Sequence, residues 1–385
     1  MVPQLFAERL AAGIRHEQWP LAPLTTFALT TQTSDRPPLQ AGVALAIRPA
    51  WPVQLSRREM RFIVVALTCS GFFLVNAVYP WPKLYAAALL LTGLAVLVHV
   101  TNRGKADDVH AAIIGGLAAL ALLAHGGPMF SLLAAPILVA WSGVRRVARP
   151  SHVMCAACAA AILLGPWLAY QRYFDPPGTR LVKIHLAGQV LPDERPLSRT
   201  IPDAYRTVDP GEWLRGRVDN LRVQGFGDWR GDDPVAEIQT AEFFRHLPAL
   251  GLLTVGLFGL AVQRGRRGPG LTTSALVGYA IATWVLWMVV MFRGGSAAIH
   301  HGSYATTLLF VVGGAVGLAG WNRVGSALLV LHVVTFAGVW LLPRAGIPVP
   351  AWNPEAAFLF VAATLASAGL CGKWLSDAEP SLGVP

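Results

Sequence analysis

Apolar residues along this chain are gathered into runs that approach the roughly 20 residues a helix needs to cross a bilayer. The runs are separated by polar or basic turns, and a shorter apolar run near 38–54 precedes them. They lie at about 61–79, 84–100, 111–124, 129–142, 153–173, 246–263, 271–292, 301–320, 324–342 and 355–372. The pattern predicts an all-α, polytopic helical membrane protein with about 10–11 transmembrane helices and one large extracytoplasmic loop.

Two features of this pattern bear on the topology. The runs between 111 and 142 are each short and meet at His125-Gly126-Gly127-Pro128, which suits two crossings or one re-entrant pair. Two crossings are predicted, because the basic loops then all fall on one side of the membrane.

The resulting regions are an N-terminal extracytoplasmic or interfacial segment, a first membrane bundle, an extracytoplasmic loop with short helices, a second membrane bundle and a polar tail. Their bounds are 1–37, 38–173, 174–245, 246–373 and 374–385.

Composition and charge agree with a membrane protein. The chain is 54% hydrophobic and 14% charged, which is too apolar for a soluble surface. The net charge of +10 comes from basic residues on alternate loops, and the positive-inside rule makes that side cytoplasmic. The charge excess therefore reflects topology, and nucleic acid is excluded as a partner. These basic residues are Arg57, Arg58 and Arg61; Arg103 and Lys105; Arg145, Arg146 and Arg149; Arg264, Arg266 and Arg267; and Arg323.

No metal site is predicted from the cysteines. Cys155 and Cys158 have CxxC spacing, but without a second pair or a nearby His they are interpreted as small residues at a helix contact. Asp232-Asp233 could hold a divalent cation, although a solvated turn before Pro234 is the preferred interpretation. No other cofactor is assigned.

An acid and a cation, Asp35-Arg36, stand on a Pro-Pro turn before the first apolar run. The guanidinium fork matches phosphate oxygens, and the carboxylate can orient that fork or hold a hydroxyl or a metal. Alternatively, Ser34 or Asp35 caps a helix that opens at Pro37, and Arg36 extends to the interface. A functional role for Asp35 and Arg36 in phosphate binding is preferred to the interpretation as a helix cap.

A second polar stretch follows the run that ends near Tyr173. It contains an acid, two cations and an imidazole, in Asp175, Arg180, Lys183 and His185. This density of donors suits a phosphate or pyrophosphate headgroup. A basic interfacial loop that contacts anionic lipid fits equally well.

A third group opens a predicted span at His300-His301-Gly302-Ser303-Tyr304, where the free N–H groups of a helix N-terminus attract anions. Adjacent histidines point about 100° apart on a helix, so they are not expected to share a metal. Lys83 and His125 lie at the outer ends of other spans and could join this group. Taken singly, each is interpreted as an interfacial anchor.

The motifs quoted so far resemble those of bacterial GT-C glycosyltransferases of the protein O-mannosyltransferase and aminoarabinose transferase type. The likeness covers Asp35-Arg36-Pro37-Pro38-Leu39 and four further short tracts across nearly the whole chain. These tracts are Asn76 to Leu84, His125-Gly126-Gly127, Pro166 to His185 and His300 to Tyr304.

The resemblance implies a multi-pass enzyme of the bacterial inner membrane. Such enzymes transfer a sugar, with inversion, from a polyprenyl-phosphate donor to an acceptor on the extracytoplasmic side. Arg36 would hold the lipid phosphate, and Asp35 would be catalytic by positioning Arg36 or a metal. The partners implied are the polyprenyl-phosphate-linked sugar and membrane lipid.

One departure from the family opens alternatives. The family places a full span and an aspartate that acts as general base before the Pro-Pro-Leu motif, whereas about 34 residues without a span precede the motif here. The departure predicts a chain that is N-terminally incomplete, or an activity that is lost or differently arranged. A transporter or flippase of a lipid-linked or anionic substrate, and a non-catalytic membrane protein, are therefore the alternative hypotheses. The scarcity of charge within the spans disfavours transport.

Overall fold

The computed structural model describes residues 56–78, 82–141, 148–174, 179–189, 191, 193–225, 251–262, 273–292 and 304–341. All regular secondary structure within these ranges is helical, and they contain no strand, which confirms the predicted all-α class. The apolar runs near 38–54 and 355–372 lie outside the described residues.

Thirteen α-helices occur in the described ranges, and a short π-helix, Ala337–Leu341, follows the last of them. In chain order they are α1 Arg57–Thr68, α2 Gly71–Val78, α3 Pro82–Arg103, α4 Asp108–Ala124, α5 Pro128–Trp141, α6 Pro150–Tyr173, α7 Arg180–Ala187, α8 Leu197–Arg206, α9 Pro210–Gly225, α10 Leu252–Val262, α11 Thr273–Val290, α12 Tyr304–Gly320 and α13 Asn322–Phe336.

Among the described residues, three helical segments are long and apolar enough to cross a membrane, which indicates a membrane protein. They are Pro82–Thr101, Pro150–Tyr173 and Asn322–Trp340. Shorter apolar helices cover Asp108–Ala124, Pro128–Leu138, Leu276–Val290 and Tyr304–Gly320.

The apolar run predicted at 61–79 forms two helices, not one. Ser70 separates them, because its hydroxyl donates to Leu67 O at 2.8 Å and accepts from the Phe73 N–H at 3.1 Å. A serine oxygen that takes an N–H from the first turn is a favourable N-cap, so α2 restarts one residue later. Hydropathy does not detect this break, because Ser70 is a single polar residue inside an apolar stretch.

The two short runs around His125 form the separate helices α4 and α5. The His125 N–H donates to Ala121 O at 3.0 Å, and its Nδ1 accepts from the Gly127 N–H at 2.9 Å. Pro128 then opens α5, where the absence of an N–H costs nothing. Whether the pair makes two crossings stays a prediction.

The chain divides into two compact units, each built from separated stretches of sequence. Unit 1 contains the described residues of Trp81–Leu221 and Ala282–Ala305. Unit 2 contains those of Val53–Pro80, Arg222–Ile281 and Thr306–Pro385.

Within unit 1, α4 packs closely against α6. A Cβ added at Gly115 would overlap the backbone of Ala156, so the two helix backbones approach at this point. Cys155 and Cys158 lie on the same helix as free thiols, half-buried and exposed respectively. Helix α6 also exposes large apolar side chains, among them Val153 and Ile162, as expected of a helix surface that meets lipid.

Within unit 2, α1 packs against α13, and close glycine contacts join α10 to α12. A Cβ at Gly256 would overlap the backbone of Gly314. Arg58 donates from Nε to Ala319 O at 2.9 Å and from Nη2 to Ser326 Oγ at 3.0 Å. His332 is fully buried, with Nε2 3.2 Å from Ala66 O.

Candidate anion-binding site

Lys83 is the first component of the site and lies in the first turn of α3. Pro82 opens this helix, and its ring holds φ at a helical value. The Lys83 side chain is buried at 5% exposure, with Nζ 5.4 Å from the centroid of the Tyr304 ring, the first residue of α12. An ammonium over an aromatic face gains electrostatic stabilisation from the ring.

Helix α7 contributes the other components, because it carries Arg180, Lys183 and His185 on eight residues. Arg180 and Lys183 are three apart and therefore neighbours on the helix surface, and both are buried, at 8% and 1% exposure. Gly188 ends the helix in the left-handed conformation at φ 66°, and its N–H donates to Ile184 O at 3.0 Å. This is the usual position for a glycine after a helix, since a Cβ there would be strained.

Lys83 and His185 lie close enough to interact electrostatically. Burial lowers the pKa of His185, and the positive charge of Lys83 lowers it further, to about 4. The imidazole is therefore neutral at pH 7, mainly because it is shielded from water. An anion bound at this point would be attracted by Lys83 and would raise the pKa of His185.

Lys183 has a contact that joins two segments. Its Nζ donates to the backbone carbonyl of Asp193, which precedes α8. The Asp193 carboxylate accepts from Arg195 Nε at 2.9 Å and from Thr200 Oγ1 at 2.8 Å. The hydrogen bonds from Arg195 are the main cause that holds the pKa of Asp193 well below its usual range. Lys183 thus fixes α7 to the next helix, and its contact with a substrate stays a prediction.

His125 lies in the turn between α4 and α5, where its ring accepts a backbone N–H. That contact explains its position by local structure, and a role in substrate binding stays a prediction. Asp35, Arg36, Asp175, His300 and His301 lie outside the described residues, as does Asp232-Asp233.

The structure also brings forward two polar residues that sequence reasoning missed. Arg217 and Asn220 on α9 are buried, at 5% and 0% exposure, although they belong to a mostly polar insert. The Arg217 guanidinium lies 5.4 Å from the centroid of the Trp213 ring. The spacing of Trp213, Arg217 and Asn220 at i, i+4 and i+7 places them on one helix face, which was the available signal.

Metal ligands do not cluster in this part of the chain. Among the described residues, no group of three or more His, Cys, Asp or Glu side chains is placed to hold a metal ion.

Comparison of the chain with protein-family models, curated proteins and solved structures gives no match.

Proposed function

We propose that this protein is a glycosyltransferase-like enzyme of the bacterial inner membrane, with about 10–11 spans. It transfers a sugar from a polyprenyl-phosphate donor to an acceptor on the extracytoplasmic side. The observation that supports this function best is the electrostatic influence of buried Lys83 on His185, whose short helix also carries the buried Arg180. The resemblance of the Asp35-Arg36-Pro-Pro-Leu stretch to the motif of GT-C enzymes supports the reaction type.

The cations of this site suit a phosphate leaving group. The oxygen of the acceptor hydroxyl attacks the anomeric carbon and loses its proton to a base, while the bond from that carbon to the phosphate oxygen breaks. The phosphate departs with the bonding electrons, so negative charge develops on its oxygen. Lys83 and Arg180 are assigned to that charge, and one such donor is worth roughly 3–4 kcal/mol.

The remaining roles follow from the resemblance. Arg36 is assigned to the lipid phosphate, and Asp35 is assigned as the catalytic residue that positions it. His185, neutral at pH 7, is assigned as a hydrogen-bonding group on the phosphate. Binding of the lipid phosphate dianion would raise the pKa of His185 from about 4, because its negative charge partly cancels the positive charge of Lys83.

Binding and titration test this proposal together. The probes are undecaprenyl phosphate and inorganic phosphate, added separately to the full chain in lipid nanodiscs. We expect the lipid phosphate to bind and to raise the pKa of His185, followed by NMR of ¹⁵N-labelled histidine. Lys83→Gln should weaken that binding at least tenfold, or about 1.4 kcal/mol. Lys105→Gln is the matched control, because Lys105 is exposed in the turn before α4.

Four results would contradict the proposal. Lipid phosphate could fail to bind, or its affinity could be equal in Lys83→Gln and Lys105→Gln. In proteoliposomes, a polyprenyl-phosphate sugar could cross the bilayer without cleavage of its glycosidic bond, which would identify a flippase. Preference for inorganic phosphate over the lipid would show a free anion as the ligand.

A further inference from the structure

Phe292 lies where three segments of unit 1 meet, two residues after the end of α11. Its N–H donates to the carbonyl of His185 at 2.8 Å. Its ring lies against Gly188, where an added Cβ would come within 2.7 Å of Phe292 Cδ1. It also meets the Tyr205 ring edge-on, at 5.0 Å between centroids. Phe292 therefore satisfies a carbonyl in the last turn of α7 and packs over the residue that ends this helix.

The end of α11 is in turn held by side chains of α9. Arg217 donates to the carbonyls of Val289 and, at 2.6 Å, of Phe292. Asn220 Nδ2 donates to Met288 O at 2.8 Å and to Met291 O at 2.9 Å. The last carbonyls of a helix have no partner within it, so α9 supplies the cap that α11 lacks.

The chemistry of these two residues suits a rigid link. The guanidinium is planar and spans two carbonyls at once, which a lysine ammonium on a flexible stem does not reproduce. A cation at a helix C-terminus is also stabilised by the helix dipole. Because both side chains are buried, water does not compete for the four carbonyls.

The hydrogen bonds from α9 lead through Phe292 to His185 of the candidate anion-binding site. Arg217 holds the Phe292 carbonyl, and the N–H of the same residue holds the His185 carbonyl. Helix α7 has only eight residues, too few to be stable alone in water, so its position depends on tertiary contacts such as those of Lys183 and of its C-terminal end.

We propose that Arg217 and Asn220 are positioning residues that act through Phe292 to hold the half-buried His185 near Lys83. The inference rests on the proposed anion site and concerns its preorganisation before any substrate binds. A site held in place in advance loses less conformational entropy on binding. Loss of the link should let α7 move, admit water to the imidazole and weaken its interaction with Lys83.

The experiment uses the full chain in nanodiscs without ligand. The pH titration of His185 is followed by NMR of ¹⁵N-labelled histidine, and His185→Gln assigns the signal. In the wild type we expect a midpoint of about 4. In Arg217→Lys and in Asn220→Ala the midpoint should rise towards 6.5 by at least one pH unit, since both causes of the depression weaken. Arg215→Lys is the matched control, because Arg215 is exposed on the same helix, and its midpoint should stay at about 4.

An unchanged midpoint in both folded variants would overturn the inference, as would an equal rise in Arg215→Lys. A change in melting temperature alone, without a change in midpoint, would show that the link only stabilises the fold. Gly188→Ala provides a second route if the Arg217 and Asn220 variants do not fold. Its Cβ displaces the Phe292 ring and should raise the same midpoint. The titration is done without phosphate. Failure of phosphate binding would therefore refute the proposed function, while the titration would still test whether Arg217 and Asn220 position His185.

Discussion

The two units bury different kinds of groups. The buried charged side chains of the described part of unit 1 are Lys83, Arg180, Lys183 and Arg217, and Asn220 is buried with them. In the described part of unit 2, the buried charged side chain is Glu59, which forms a capping box with Ser56 at the start of α1.

Close glycine contacts join helices in both units, at Gly115 in unit 1 and at Gly256 in unit 2, and unit 1 also has a buried polar link between helices. In unit 1, α11 is attached to α9 through hydrogen bonds from Arg217 and Asn220. In unit 2, α10 and α12 meet through glycines whose backbones touch. A buried polar link costs stability unless every polar group in it is hydrogen-bonded, whereas a close contact between glycines depends only on complementary backbone shape. Charged groups are therefore buried mainly in the described part of unit 1, and the proposed chemistry concerns that unit.

The largest predicted effect is acid sensitivity from His185. Its folded pKa of about 4 lies below the ordinary 6.5, so folding favours the neutral ring. This contribution is fully present above pH 6.5 and is lost as the pH falls towards 4. The gap between the two values corresponds to roughly 3 kcal/mol. Chemical denaturation at pH 7 and pH 4 should show this loss in the wild type and a smaller loss in His185→Gln.

Equal losses in the two proteins would break this part of the comparison. The acid sensitivity would then arise outside His185, and burial of the imidazole beside Lys83 would not be the dominant electrostatic feature of unit 1.

A glycine contact of unit 2 provides the next prediction. Gly256→Ala places a Cβ against the backbone of Gly314, so α10 and α12 must separate. We expect a loss of about 1–3 kcal/mol, despite the better helix propensity of alanine. The loss should be the same at pH 7 and pH 5, because no titratable group is involved. Denaturation of the protein in detergent measures both values.

Gly338→Ala is the control for this substitution, since nothing lies within 4 Å of its added Cβ. Its stability should stay within about 1 kcal/mol of the wild type. If Gly256→Ala were as stable as this control, close backbone contact would not be what joins the helices of unit 2.

The smallest effect is expected at Arg58, which makes a polar link between helices of unit 2. Arg58→Lys removes the bond from Nε to Ala319 O and leaves one ammonium for the remaining acceptors. Because the side chain is exposed, water can replace the lost bond, and we expect a loss of about 0.5–1 kcal/mol. The melting temperature relative to Arg61→Lys, also exposed on α1, checks this value. A loss as large as that of Gly256→Ala would show that unit 2 also depends on polar links.

Helix content was predictable because apolar runs of this length leave few other ways to satisfy the backbone. The division of the run at 61–79 was not, since it depends on one hydroxyl that caps α2. Arg180 and His185 were predicted to line a site from their density in the sequence. That Lys83 acts on His185 could not be predicted, because about a hundred residues separate them.

Arg217 and Asn220 show a second limit. Their spacing places them on one face of α9, but an amphipathic helix on a membrane surface would have the same pattern. Only the carbonyls at the end of α11 explain why this face is buried and polar.

The sequence alone determined that the chain is helical and rich in apolar segments, because hydropathy and helix periodicity are local properties. It also determined which residues carry charge near the ends of those segments. The tertiary structure decided which charges are buried together, since burial and proximity depend on contacts between distant segments. Lys83 acts on His185 only because the fold of unit 1 brings these distant parts of the sequence near each other.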